Sequence, residues 1–119
     1  MSTKITVIGA GSVGSAITND IMVQGIASEV VLIDVNKEKA MGEALDIYQG
    51  APFCSPAVVR PGEYSDVEGS DIVVITCGVA RKPGMTRLDL AQTNVDIIKS
   101  IADKIVPVAP NATYVIVSN

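Results

Sequence analysis

Residues 3–34 constrain the fold of this 119-residue chain more than any other stretch. Ile5 to Ile8 is a β-branched run that ends at Gly9-Ala10-Gly11-Ser12-Val13-Gly14. Ser12 to Gln24 then reads as a helix, with Val13, Ala16, Ile17 and Ile21 on one face and Gly25 as its stop. Val30 to Ile33 is a second strand, and Asp34 follows it twenty residues after Gly14. Strand, glycine turn, helix, strand, acid is a parallel βαβ unit, which needs helices over both faces of its sheet.

The remaining sequence extends that unit. Asn36 is placed to cap a helix running to Tyr48, with Ala40, Met41, Ala44, Leu45 and Tyr48 inward and Gly50 as its end. Residues 51–56 read as a loop, Ala57 to Arg60 as a weak third strand, and Tyr64 to Gly69 as a single helical turn. Asp71 to Thr76 is a fourth strand, and Cys77 to Thr86 a mobile loop rich in Gly and Pro. Arg87 to Val106 is a long helix whose inner face reads Leu88, Ala91, Val95, Ile98, Ile101 and Ile105, closed by Pro107 and Pro110. Thr113 to Val117 is the fifth strand. Strands alternating with helices predict an α/β fold: a Rossmann-type, doubly wound parallel sheet of order 3-2-1-4-5 that lacks the sixth strand. The length suits one domain.

Composition excludes several classes. The net charge is −4 with no basic cluster beyond Arg81-Lys82, which argues against nucleic acid as a partner. No apolar run is long enough for a membrane span, and the N-terminus leads straight into a strand with no signal peptide. Cys54 and Cys77 make neither a disulfide framework nor, with carboxylates alone beside them, a good zinc site. Free thiols point to the reducing cytoplasm, and no metal is expected. There is no histidine, so proton transfer near neutral pH must use another perturbed group or come from outside these residues.

The glycine turn admits two readings. One is a tight strand-to-helix turn and nothing more. The other is a dinucleotide site, in which Gly9 turns the chain, Gly11 lets a pyrophosphate approach the backbone, and Gly14 lets the helix pack close to the sheet. The free N–H groups and positive end of the helix would then face the phosphates. The flanking strands and Asp34 favour the second. Asp34 would accept hydrogen bonds from the adenosine ribose and repel a 2′-phosphate, so the cofactor is expected to be NAD and not NADP. Otherwise Asp34 is simply a surface acid at a strand end.

Thr76-Cys-Gly-Val-Ala-Arg81-Lys-Pro-Gly-Met-Thr-Arg87 leaves the carboxyl edge of the sheet, where such folds bind ligands. Two arginines six apart can close over an anion through paired hydrogen bonds, or can be a solvated charged loop.

At these residues the chain resembles the lactate/malate dehydrogenase family. The glycine turn, Asp34 and above all Arg-Lys-Pro-Gly-Met-Thr-Arg-x-Asp-Leu carry the resemblance, which runs from Lys4 to Asn119 and is nearest to the lactate-dehydrogenase-like malate dehydrogenases. It implies that Gly9, Ala10, Gly11, Ser12, Val13 and Gly14 hold the pyrophosphate and Asp34 the ribose. Asn94, Val117 and Ser118 would lie on the nicotinamide side, and Asn119 would contact both substrate and cofactor. Arg81 stands where glutamine goes with lactate and arginine with malate, since a second substrate carboxylate calls for a second cation. Arg87 matches the arginine that polarises the substrate carbonyl.

The resemblance also implies that residues 1–119 are the dinucleotide-binding domain alone. The catalytic histidine, the aspartate and one carboxylate-binding arginine belong to a substrate domain that this sequence lacks, so little or no turnover is expected of it. The reading that follows is the NAD-binding half of a malate dehydrogenase-like oxidoreductase acting on a dicarboxylic 2-hydroxy/2-oxo acid. Alternatives are a self-sufficient, non-catalytic nucleotide-binding module or a self-associating domain. An uncovered fifth strand would leave an exposed sheet edge, so a homo-oligomer is expected.

Overall fold

A computed structural model describes residues 2–50 and 57–118. Its elements are β1 (Lys4–Ile8), α1 (Ser12–Gln24), β2 (Glu29–Ile33), α2 (Lys37–Tyr48), β3 (Val58–Pro61), a 3₁₀ turn (Tyr64–Val67), β4 (Ile72–Ile75), α3 (Arg87–Ile105) and β5 (Thr113–Ile116). All strand pairs are parallel and the order is β3-β2-β1-β4-β5, as expected. The strand and α-helix boundaries lie within a residue of expectation, and the single turn ends at Val67, two residues before the expected Gly69. The loop expected at 51–56, with Cys54, falls outside the described residues, as does Asn119.

Strand alternation sorts the core into two layers. Ile5, Val7, Val30, Leu32, Val59 and Val74 face α1 and α2, meeting Ile21, Met22, Ala40, Ala44 and Ile47. Ile8, Val31, Ile33, Val73 and Ile75 face the other way, onto Ile101 and Ile105 of α3 and Val67. Burial on both faces is why the strands are continuous runs of Val and Ile. Thr6 is fully buried and satisfied by Ser70, 2.6 Å away oxygen to oxygen.

The helix ends follow local chemistry. Gly25 closes α1 in the left-handed region at φ 66°. Asn36 caps α2 by accepting from Lys39 N at 3.1 Å. Thr86 and Asp89 cap α3 reciprocally.

The helix faces need correction. On α1 the buried positions are Gly14, Thr18, Ile21 and Met22, whereas Val13 and Ala16 face outward. The helix approaches the sheet on its smallest residue, and the Thr18 hydroxyl is satisfied by donating to Gly14 O at 2.8 Å. On α2, Ala40, Ala44 and Ile47 are buried while Met41, Leu45 and Tyr48 are exposed. On α3, Leu88, Ala91 and Val95 are exposed, and Asn94 is buried above Ile101 and Ile105. On α1 and α3 a small or locally satisfied polar residue takes the inward place that a count of apolar residues assigns to a larger neighbour, and on α2 Ile47 takes it from Leu45 and Tyr48.

Among the described residues no helix is long and apolar enough to cross a membrane.

Candidate functional site

Register brings the site together. Ile8 pairs with Ile33 and with Ile75, and Ile75 with Ile116. The residues after these strands, Gly9, Asp34, Thr76 and Val117, therefore emerge side by side at the carboxyl edge. Three backbone bonds continue the ladder one step beyond the strands: Gly9 N to Ile33 O at 2.7 Å, Thr76 N to Ile8 O at 2.9 Å, and Val117 N to Ile75 O at 2.9 Å.

The three glycines of the turn differ in what they make room for. Gly9 has φ 113°, and a Cβ there would lie 2.5 Å from Thr76 Oγ1. A Cβ on Gly14 would sit 1.7 Å from Gly9 O, so the helix meets the turn backbone to backbone. Gly11 is the opposite case: a Cβ there would meet nothing within 4 Å. The space above Gly11 is open, and as N-cap it leaves the first turn of α1 without a side-chain acceptor. Backbone N–H groups at the positive end of a 13-residue helix thus face an open space, which is the donor set an anionic pyrophosphate requires.

Two hollows of about 370 and 360 Å³ flank this point and share Gly11, Thr76, Cys77, Gly78 and Val79 as walls. The first is also lined by Ser12, Val13, Gly14, Asn94, Val117 and Ser118. Asp34, Val35, Lys39 and Tyr64 line the second. The groove so formed leads from Asp34 across the glycine turn to the end of β5, so it gathers most of the expected cofactor residues. Ala10 is buried beneath it.

Asp34 is half-buried and more constrained than a strand-end surface acid. One carboxylate oxygen accepts from Ala10 N at 2.7 Å and the other from Asn36 N at 2.9 Å. These bonds fix the carboxylate at the edge of the groove and leave lone pairs for ligand hydroxyls.

Asn94 joins α3 to the loop after β4. Its Oδ1 accepts from Val79 N at 2.8 Å and its Nδ2 donates to Val79 O at 3.4 Å. Ser118 Oγ donates to Cys77 O across the same loop. The Cys77 thiol is pushed up to about 11 by burial and by the Asp34 charge, so it is neutral at physiological pH and donates to Ile8 O at 3.2 Å.

The arginines lie apart from this groove's walls. Arg81 is exposed on the loop, and its Nε donates to Met85 O at 3.0 Å. Arg87 is the exposed first residue of α3. A cation at a helix N-terminus opposes the helix dipole, so helix stability does not account for it there.

Sequence reasoning missed Thr76, Cys77 and Tyr64 as parts of the site. The signal for Thr76 was the register that sets the end of β4 beside the end of β1. Tyr64 carried none, because the loop that brings it to Asp34 has no periodic pattern. Among the described residues no group of three metal-ligating side chains gathers.

The glycine turn, the open helix terminus and the acid at the end of β2 together define an NAD-binding domain of the doubly wound class. The chain belongs to the lactate/malate dehydrogenase family, whose NAD-binding domain matches residues 3–119. It is 55% identical over 118 residues to L-lactate dehydrogenase 1 of Clostridium acetobutylicum, covering 99% of this chain and 38% of that protein. Among solved structures, the minor L-lactate dehydrogenase of Enterococcus mundtii superposes with a TM-score of 0.94 at 40% identity, over 99% of this chain and 38% of that one. The malate dehydrogenase of Archaeoglobus fulgidus in complex with NADH superposes at 0.89 with 43% identity, over 98% of this chain and 40% of that one. The chain thus spans about 38% of the length of the curated relatives it matches.

Proposed function

We propose that residues 1–119 are the dinucleotide-binding domain of an NAD-dependent oxidoreductase that interconverts a dicarboxylic 2-hydroxy acid and its 2-oxo acid, with malate and oxaloacetate as the pair. NAD, when bound, supplies the hydride acceptor. The chain's own residues bind and orient. The N–H groups of Ser12, Val13 and Gly14 face the pyrophosphate, and Asp34 takes the ribose hydroxyls of the adenosine. Asn94, Val117 and Ser118 border the nicotinamide end, with Asn119 following. The observation that carries this reading is the open space above Gly11 beside the fixed carboxylate of Asp34.

Arg81 supports the dicarboxylate. Its Nε holds the loop at Met85 O, and its terminal nitrogens are the paired donors that suit a carboxylate. Arg87 polarises the substrate carbonyl as charge develops on its oxygen. The histidine and aspartate that handle the proton are assigned to a separate substrate domain, so these residues alone turn over little or nothing. The reducing cytoplasm is the proposed location, consistent with the free, neutral thiol of Cys77.

Calorimetric titration with NAD and then NADP, each with and without oxaloacetate, tests the reading. Tight NAD and weak NADP binding, with a further gain on adding oxaloacetate, is expected. Equal affinity for the two cofactors sinks the role of Asp34, and indifference to oxaloacetate sinks that of Arg81.

Self-association is proposed from uncovered apolar surface. β5 is the sheet edge, and Val115, Ile116 and Val117 are 44%, 58% and 45% exposed. A concentration-independent monomer in analytical ultracentrifugation overturns this.

A further inference from the structure

We infer that Thr76 is a positioning residue for the glycine turn, holding the Gly9–Ala10 peptide in the orientation that exposes the pyrophosphate donors. The inference rests on the reading of that turn as the pyrophosphate site.

The Thr76 hydroxyl sits where the turn is tightest. Its oxygen lies 3.1 Å from Ile8 O and 3.3 Å from Gly9 O. It is also the side-chain atom that a Cβ would meet at both Gly9, at 2.5 Å, and Gly14, at 2.9 Å. A hydroxyl has one proton to give, and a carbonyl has two lone pairs. Ile8 O already accepts from Thr76 N at 2.9 Å and from Cys77 Sγ at 3.2 Å. Gly9 O is therefore the acceptor whose orientation the hydroxyl governs.

The other side of the same peptide is held from another strand. Ala10 N donates to the Asp34 carboxylate at 2.7 Å. The peptide between Gly9 and Ala10 is thus fixed at its oxygen by the end of β4 and at its N–H by the end of β2. Gly9 has φ 113° and little intrinsic preference for one well, so the side chains supply the restraint that its own backbone lacks. The next residue, Gly11, is the N-cap whose orientation aims the first turn of α1. Pre-organising that turn before a ligand arrives spares the ligand the cost of ordering it.

Four variants and three ligands test this. Thr76→Val removes the hydroxyl at nearly constant volume, and Thr76→Ser restores it. Thr76→Val should weaken NAD and ADP by about fivefold to tenfold, the worth of one hydrogen bond. Its affinity for adenosine, which carries no phosphate, should be unchanged, and Thr76→Ser should bind all three within twofold of the parent. Unchanged NAD binding by Thr76→Val, or equal weakening of adenosine, overturns the proposal. Should Thr76→Val fail to fold, Thr76→Ala removes the hydroxyl without setting a branched methyl against the two carbonyls, and the same outcomes apply. Gly11→Val separates this from the underlying reading, because the Cβ it adds meets no protein atom within 4 Å. If Gly11→Val keeps full NAD affinity, the turn is not the pyrophosphate site. If Gly11→Val loses NAD and Thr76→Val does not, the role of Thr76 alone fails.

Discussion

Replacing Gly14 by alanine sets two well-known effects against each other. Gly14 lies inside α1, where alanine is favoured over glycine by about 1 kcal/mol. Burying one more methyl group adds about 0.8 kcal/mol in the same direction. Helix propensity alone therefore predicts a more stable protein. The packing says otherwise. The new Cβ would stand 1.7 Å from Gly9 O and 2.9 Å from both Gly9 C and Thr76 Oγ1. A relaxed carbon–oxygen contact is about 3.3 Å, so α1 or the turn must move by roughly 1.6 Å. The obstruction is backbone, and it is held by Thr76 and Asp34, so no flexible side chain can swing away. Overpacking at the top of its usual range costs about 3 kcal/mol. Displacing the turn breaks one or two hydrogen bonds at about 1 kcal/mol each. The balance is a net loss of about 2–3 kcal/mol, or a fall in Tm of about 8–12 °C for a domain near this size. The displaced turn should also lose NAD affinity. Thermal unfolding by circular dichroism, with and without NAD, reads both. A Tm at or above the parent's together with unchanged NAD binding would refute the backbone-contact argument and leave helix propensity as the controlling term.

Three further outcomes are expected. Asp34→Ser combined with Val35→Arg, the latter at a position 89% exposed, should raise the NADP-to-NAD affinity ratio by about tenfold or more, read by calorimetry; an unmoved ratio counts against Asp34 as the selector. Arg81→Gln should abolish the oxaloacetate-dependent gain in NAD affinity, a loss of about 1.5–3 kcal/mol for a hydrogen-bonded charge pair, and persistence of that gain would remove Arg81 from the substrate. The Cys77 thiol is held neutral from 9.0 up to about 11, so its contribution is complete below pH 9 and lost as pH rises from 9 to about 11. Urea midpoints across that range should fall less steeply in Cys77→Ala than in the parent, and alkylation at the Cys77 peptide, followed by mass spectrometry at pH 8, should run about a hundredfold slower than for an ordinary thiol. Labelling at the ordinary rate would show that burial and the Asp34 charge do not hold the thiol neutral.

The order and direction of the strands were legible because the relevant signals are local and redundant. Val-Ile runs bounded by Gly and Asp mark β1, β2 and β4, and the helices between them leave a parallel sheet as the only connection. The same redundancy made the glycine turn and Asp34 readable, and register then placed them together. Helix faces were less legible. Asn94 is inward because Val79 satisfies it, and Thr18 because Gly14 O does; neither partner can be seen in an apolar count. Thr76 was hidden for a related reason: its work is a bond to backbone 67 residues away, which only the sheet register reveals.

Substrate charge illustrates the same division between what a whole sequence measures and what a few atoms decide. A curated relative 55% identical to this chain is an L-lactate dehydrogenase, while Arg81 argues for a substrate with a second carboxylate. The two are compatible in physical terms. Many residues are ones the fold itself demands whatever the substrate: the strands packed on both faces, the turn where Gly9 and Gly14 meet, and the capped helix starts. Those positions set how NAD is held and are indifferent to what lies on its nicotinamide side. Discrimination between a mono- and a dicarboxylate rests instead on whether one cation is present to meet the second charge, since an unpaired carboxylate in a closed site is costly. Arg81 sits outside the core, on an exposed loop whose sequence the sheet does not constrain, and its terminal nitrogens remain after Nε has fixed the loop. On the proposed dicarboxylate reading the substrate class rests on this single loop residue, and the Arg81→Gln titration is the experiment in which the two arguments part.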